Sequence, residues 1–218
     1  MSTRVAIAVV MVFGLQALMV AQDSNADAAR AKTRRVLEVP SEEHRAEAKF
    51  QSGGRVKLDL GVGDFKVVPG SSDRVVVTWR GRTAGRCSAS ATASGTMATV
   101  STTCPKSGNN DVTFTVEVPP QSDISGHASV GDLTVGPFDG NVDLGLGVGD
   151  FKVRVSNADD YAEVDASTSI GDVNGGPFEA KQHGFLGKTI HWTGNGRHRL
   201  KLHVGTGDLN IEKGEATM

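Results

Sequence analysis

Apolar and polar residues alternate over most of the chain, and the alternation changes parity at five Gly-Asp pairs. Leu58, Leu60 and Val62 precede Gly63-Asp64, whereas Phe65 and Val67 follow it. Val130 leads into Gly131-Asp132, and Leu133 and Val135 come after. Leu144, Leu146 and Val148 precede Gly149-Asp150, and Phe151, Val153 and Val155 succeed it. Ile170 and Val173 flank Gly171-Asp172, while Leu200, Leu202 and Val204 give way to Leu209 and Ile211 across Gly207-Asp208. Side chains along a strand alternate between faces, so a parity change marks a corner that re-aims the apolar face. Five such corners predict a chain that winds repeatedly about one core.

The corners belong to an internal repeat. GVGDFKV occurs unchanged at 61–67 and 147–153, with weaker copies SVGDLTV at 129–135, SIGDVNG at 169–175 and GTGDLNI at 205–211. Successive aspartates are 68, 18, 22 and 36 positions apart. The two short steps define a unit; 36 reads as two units, and 68 leaves room for three or four. Short strands joined at glycine corners on this period suit an all-β fold, a right-handed single-stranded β-solenoid (β-helix) of about 18–22 residues per coil. A β-sandwich also has many short strands, but nothing in it calls for one corner at near-constant intervals. The composition agrees: 27 glycines and only 5% aromatic residues suit thin, turn-rich β structure with small core side chains.

Outside the repeat, Arg4 followed by the uncharged stretch Val5–Val20 reads as an export signal, too short for a comfortable membrane span. The predicted signal peptide is 1–21, with cleavage as late as Ala28, and a retained N-terminal anchor is the alternative. Residues 22–47 read as a polar linker with a short strand at Val36–Pro40, and 48–213 as the solenoid domain. Cys87 and Cys104 lie 17 positions apart, and in an exported chain an even pair is most simply a disulfide; two buried thiols are the alternative. The bond would pin the Ser/Thr/Ala-rich segment 87–104 as a protrusion between strands around Val75–Trp79 and Val112–Val118.

The run from Val112 to Val153 resembles the bacterial putative-adhesin family of unknown function. That family combines a strand ending in Val-Pro, a polar step and recurring Gly-Asp coils. Val118-Pro119, Ser129–Val135, Gly147–Val153 and Ser169–Val173 carry the resemblance, which spans about Phe50 to Ile211. The resemblance implies a β-solenoid and transfers no catalytic residue. The segments Cys87–Cys104 and Phe185–Arg199 depart from the pattern.

Candidate chemistry is sparse. Without residues 1–21, which contain only Arg4 as a charged side chain, 22 basic and 25 acidic groups leave a net charge of −3. That near-neutral, mixed surface excludes nucleic acid. Gly63, Asp64, Gly131, Asp132, Gly149, Asp150, Gly171, Asp172, Gly207 and Asp208 form a structural corner motif, in which each aspartate caps its turn. A calcium-binding acidic column is the alternative, yet carboxylates one coil apart repel by only about 1 kcal/mol in water, which needs no cation. Two residues after each aspartate, Lys66, Thr134, Lys152, Asn174 and Asn210 should form an outward polar stripe. Trp79 and Trp192 read as core or end-cap residues, and the six histidines show no metal-ligand spacing.

No nucleophile elbow, phosphate loop, zinc signature or haem motif occurs, so no catalytic, cofactor or metal residue is assigned. The expected function is that of a non-enzymatic exported envelope protein, periplasmic, cell-surface or secreted, acting as an adhesin-like binding or display module. A polysaccharide-active enzyme on a β-helix scaffold and a membrane-tethered signalling ectodomain are the alternatives. Candidate partners are a glycan, another envelope protein or a second copy at the solenoid end. That end is expected to be covered by another chain or by the segment Phe185–Arg199.

Overall fold

The computed structural model describes residues 43–105 and 111–214. The predicted signal peptide, its cleavage site and the Val36–Pro40 strand lie outside the described residues. Among the described residues sixteen strands follow one another: β1 (His44–Lys49), β2 (Arg55–Val62), β3 (Asp64–Pro69), β4 (Arg74–Arg80), β5 (Ser88–Ser94), β6 (Met97–Thr103), β7 (Thr113–Val118) and β8 (Asp123–Val130). They continue as β9 (Leu133–Val135), β10 (Val142–Val148), β11 (Phe151–Val155), β12 (Tyr161–Ile170), β13 (Val173–Asn174), β14 (Thr189–Thr193), β15 (His198–Thr206) and β16 (Leu209–Lys213). The chain is all-β, in two mixed eight-stranded sheets. Sheet I has the order β1-β4-β7-β3-β9-β11-β16-β13, and sheet II the order β14-β12-β15-β10-β8-β2-β6-β5.

Each Gly-Asp pair is where the chain passes from sheet II to sheet I. In β2 the buried residues are Val56, Leu58 and Leu60; beyond Gly63, β3 buries Phe65 and Val67. The parity change therefore keeps the apolar face on the same core while the strand changes sheets. Parallel pairing stacks these layers in register. Phe65, Leu133, Phe151, Leu209 and Val173 form one column of sheet I, and Leu60, Ala128, Leu146 and Val204 one column of sheet II. Full burial of each large apolar side chain contributes about 1.5–3 kcal/mol.

The order of stacking departs from a solenoid whose coils follow one another along the chain. The pair β15–β16 lies between β10–β11 and β12–β13, and β2–β3 lies between β6–β7 and β8–β9. The reason lies in the antiparallel strands. β14 folds back on one side of β12, leaving the other side for β15, so the 36-residue step is a hairpin and an insertion rather than two units. In the 68-residue step, β4 runs antiparallel to β7 in sheet I and β5 antiparallel to β6 in sheet II.

Both ends are closed locally. The segment 87–104 packs as the β5–β6 hairpin at the edge of sheet II, where β6 pairs with β2; it is no protrusion. A Cys87–Cys104 disulfide closes its base. β1 begins at His44, inside the expected linker, because Ala46 and Ala48 turn inward between exposed Arg45, Glu47 and Lys49 as the strand pairs with β4. At the opposite end β14, within the Phe185–Arg199 segment, pairs with β12; the last strands β15 and β16, which were expected to need that cover, lie inside the sheets beside β12 and β13. Phe178 packs edge-on against Tyr161 at 5.6 Å and against Trp192 at 4.9 Å, and the Gln182 amide donates to the carbonyl of Val173 on the β13 edge.

Candidate functional site

The hinges form a five-rung ladder in the spatial order 63–131–149–207–171. Their glycines have φ between +120° and +146°, a region open to glycine alone at low cost. Space imposes a second requirement: a Cβ on Gly131, Gly149, Gly207 or Gly171 would stand 2.0–2.2 Å from the preceding rung's glycine carbonyl. The aspartates cap across rungs rather than within their own turn. The amides of Asp132, Asp150, Asp208 and Asp172 donate to the Oδ1 atoms of Asp64, Asp132, Asp150 and Asp208 at 2.9–3.4 Å. Beside them, the amides of Phe65, Leu133, Phe151 and Leu209 donate to the carbonyls of the next aspartates at 2.8–2.9 Å. Four of the five carboxylates thus accept a backbone amide of the neighbouring rung. Lys66, Thr134, Lys152, Asn210 and Asn174 lie in register on the outer side of sheet I, as the polar stripe predicted.

One expectation at the hinges is corrected. The last alternating residue before each Gly-Asp pair was expected in the core, yet Val130, Val148 and Ile170 are 42%, 49% and 58% exposed. In register with Val62 and Thr206, they form a row where the strands of sheet II run out beyond the core before each corner.

A second feature lies on the outer face of sheet II. Lys57, Ser125, Asp143, Lys201, Asp165 and His191 fall side by side across six strands, and charge alternates over the last four. The adjoining row is Asp59, His127, Gly145, His203, Ser167 and Thr189. Gly145 leaves a hollow over which the His127 ring leans, and a Cβ there would meet His127 Nδ1 at 2.9 Å. This face carries two open hollows, of about 590 and 290 Å3; Asp143, Asp165 and Lys201 line both, and Gly145 the smaller. Arg55, Asp123, Asn141, Glu163 and Arg199 complete the larger one.

Two pairs of opposite charge meet in the groove. Arg199 Nε stands 3.6 Å from Glu163 Oε2, and His191 Nδ1 stands 2.6 Å from Asp165 Oδ1. The bond to Asp165, and then its charge, raise the His191 pKa above its ordinary value. The groove's rim is fixed by a polar network in which Asn141 donates to Asp123 Oδ1 at 2.9–3.0 Å and accepts the Arg199 amide at 2.8 Å. Asp139 accepts from Arg197 and His198 at 2.8 Å, and Arg197 chiefly holds its carboxyl below the usual range. His203 bonds the Ser167 hydroxyl at 3.0 Å, with Ser169 at 3.5 Å on its other nitrogen, so no carboxylate orients it as a triad would require.

Glu163, Asp165 and His191 offer ligand atoms within 4.8 Å of one another. A divalent metal there would compete with Arg199 for Glu163 and with the proton shared by His191 and Asp165. Sequence spacing gave no sign of this trio, because His191 reaches Asp165 only through the antiparallel register of β12 and β14. Trp79 is in the core, with its Nε1 donating to the carbonyl of Ala84, and Trp192 is half-buried against Phe178, so neither offers a platform in the groove.

No protein-family model and no curated protein matches the chain. Among solved structures, a putative cell adhesion protein from Clostridium sporogenes aligns with 79% of this chain and all of its own, at 13% identity and a TM-score of 0.51. A putative adhesin from Bacteroides fragilis covers 78% of this chain and 97% of its own at 12% identity, with a TM-score of 0.30. One from Parabacteroides merdae covers 81% and 98% at 9% identity, with a TM-score of 0.29. The likeness to the Clostridium protein is one of all-β fold.

Proposed function

We propose that the protein is a non-enzymatic, exported envelope protein that binds an extended hydroxyl-rich polymer, such as an envelope glycan, along the outer face of sheet II. The groove carries this reading: an open trough of about 590 Å3 crossing several strands, lined by planar and charged hydrogen-bonding groups without a buried reaction centre. Such a surface suits many moderate polar contacts spread along a chain better than one enclosed small molecule. The adhesion-protein neighbour supports a binding role, and the disulfide supports an oxidising compartment outside the cytosol. Five hinges in register support reading the parallel strand pairs as coils of a solenoid stacked out of chain order.

The test is a glycan-array screen of the full chain, followed by calorimetry on the best ligand with K201A and R199A. The expected result is about tenfold weaker binding for each variant, in line with loss of one charge-assisted hydrogen bond. Unchanged binding would place the ligand elsewhere. One observation favours the enzymatic alternative: Asp143 and Asp165 flank Lys201 in the groove. Release of reducing ends from the bound polysaccharide, abolished by D165N, would replace the binding reading with that one.

A further inference from the structure

The segment between β13 and β14 ends in a tight loop that no part of the groove or hinge argument uses. Its tip carries Phe185 and Leu186, 94% and 73% exposed, the two most exposed large apolar side chains among the described residues. The loop is built to hold them there. His183 and Thr189 close its base with reciprocal backbone bonds of 2.9 and 2.8 Å. Thr168 on β12 grips it from the side: its amide donates to the Lys188 carbonyl at 2.8 Å, and its hydroxyl accepts the Lys188 amide at 3.2 Å. Lys188 Nζ reaches back to the Gly184 carbonyl at 3.2 Å. Gly184 has φ +118°, and a Cβ on it would stand 2.0 Å from the Gly187 carbonyl, so the turn admits no other residue easily.

Phe185 and Leu186 are therefore held out in water by a tied loop. Exposed apolar groups of this kind mark a surface that meets another phase or partner. The flanks indicate which. Lys181 and Lys188 outnumber Glu179 across the ten residues 179–188, giving the loop a net positive charge, and long lysine stems can run beside a buried tip with the ammonium in the headgroup layer. Two bulky side chains also suit shallow entry into acyl chains, where an aromatic and a leucine are both favourable. Ile170, two residues beyond Thr168, adds apolar surface at the strand end that grips the loop.

We propose that the Phe185–Leu186 loop is a membrane-docking tip that enters the interface of an anionic lipid bilayer, with Lys181 and Lys188 at headgroup level. This inference is independent of the groove and survives if the groove binds nothing. The test uses F185W in the full chain, with the wild-type spectrum subtracted to remove Trp79 and Trp192. A tryptophan at position 185 reports the tip itself, whatever other part of the chain meets the vesicle. Vesicles of phosphatidylcholine with one quarter phosphatidylglycerol should shift its emission to the blue, and lipids brominated along the acyl chain should quench it. L186S in the F185W background should raise the lipid needed for half the shift by about tenfold, roughly the loss of one partly buried leucine. K181E, which leaves the Lys188–Gly184 bond in place, should weaken the response on anionic vesicles and not on pure phosphatidylcholine. Water-like, unquenched emission at lipid concentrations where the chain sediments with vesicles would overturn the proposal. So would a blue shift that grows with protein concentration without lipid, which would assign the tip to a second copy.

Discussion

At the hinge edge one local solution repeats: a left-handed glycine on all five rungs, then, on every rung but the last, an aspartate that accepts the next rung's amide. The groove on sheet II is built in the opposite way. Asp143, Lys201, Asp165 and His191 share no motif and stand in a row only because β10, β15, β12 and β14 pair in an order the chain does not follow. One region is thus specified by two adjacent residues, the other by the register of strands up to 58 positions apart. A mutation at the hinge should act on the fold, and one in the groove should act on charge and binding while leaving the fold alone.

The sharpest attempt to break that contrast is Gly207→Ala. Its φ of +134° and the 2.0 Å approach of its would-be Cβ to the Gly149 carbonyl give two separate penalties at a central rung. The expected loss is about 3–5 kcal/mol of unfolding free energy, read from the midpoint of urea denaturation. Gly85→Ala is the control: its site is open, with nothing within 4 Å, and the change should stay within about 0.5 kcal/mol. A midpoint for G207A equal to that of G85A would mean that the hinge is not locally specified. Next in size is the far edge of sheet II. Replacing both Cys87 and Cys104 with alanine removes a cross-link over 17 positions, worth about 3 kcal/mol by loop closure. The same loss should appear when the wild type is unfolded in reducing agent.

Within the ladder the aspartates allow a finer comparison. Asp150 accepts the Asp208 amide, whereas Asp172, the last rung, accepts no such bond among the described residues. D150A should therefore cost about 1 kcal/mol and D172A much less, while D150N keeps an acceptor oxygen and should be close to neutral. Equal losses at both positions would show that charge, not the cross-rung bond, is what the rungs supply.

These variants also show why the hinge was legible in the sequence and the groove was not. A parity change at Gly-Asp reports a corner directly, since strand side chains alternate with period two. It placed Phe65, Leu133, Phe151, Leu209 and Val173 on one core face, where they are buried. It misplaced Val130, Val148 and Ile170, because alternation continues past the point where the strand leaves the core. The order of stacking was also out of reach: nothing local to Gly171 or Gly207 says which rung is outermost. That depends on β14 occupying one side of β12 first. The trio Glu163, Asp165 and His191 depends on the same pairing, so no spacing rule along the chain could have found it.

The smallest predicted effect is the most direct probe of whether the two regions are separate. Asp165 Oδ1 lies 2.6 Å from His191 Nδ1 and raises the histidine's pKa above its ordinary 6.5. The folded protein then holds this proton more tightly than the unfolded chain does. The resulting stabilisation is fully present below about pH 6.5 and is lost as pH rises through the folded value. An NMR titration of the His191 ring should give a midpoint above 6.5 in the wild type and a lower one in D165N. D150A, which alters a hinge rung and leaves Asp165 in place, should not move it. Were D150A to lower the His191 midpoint as D165N does, the hinge would be setting the register of β12 against β14, and the groove would be a consequence of the ladder rather than an independent surface.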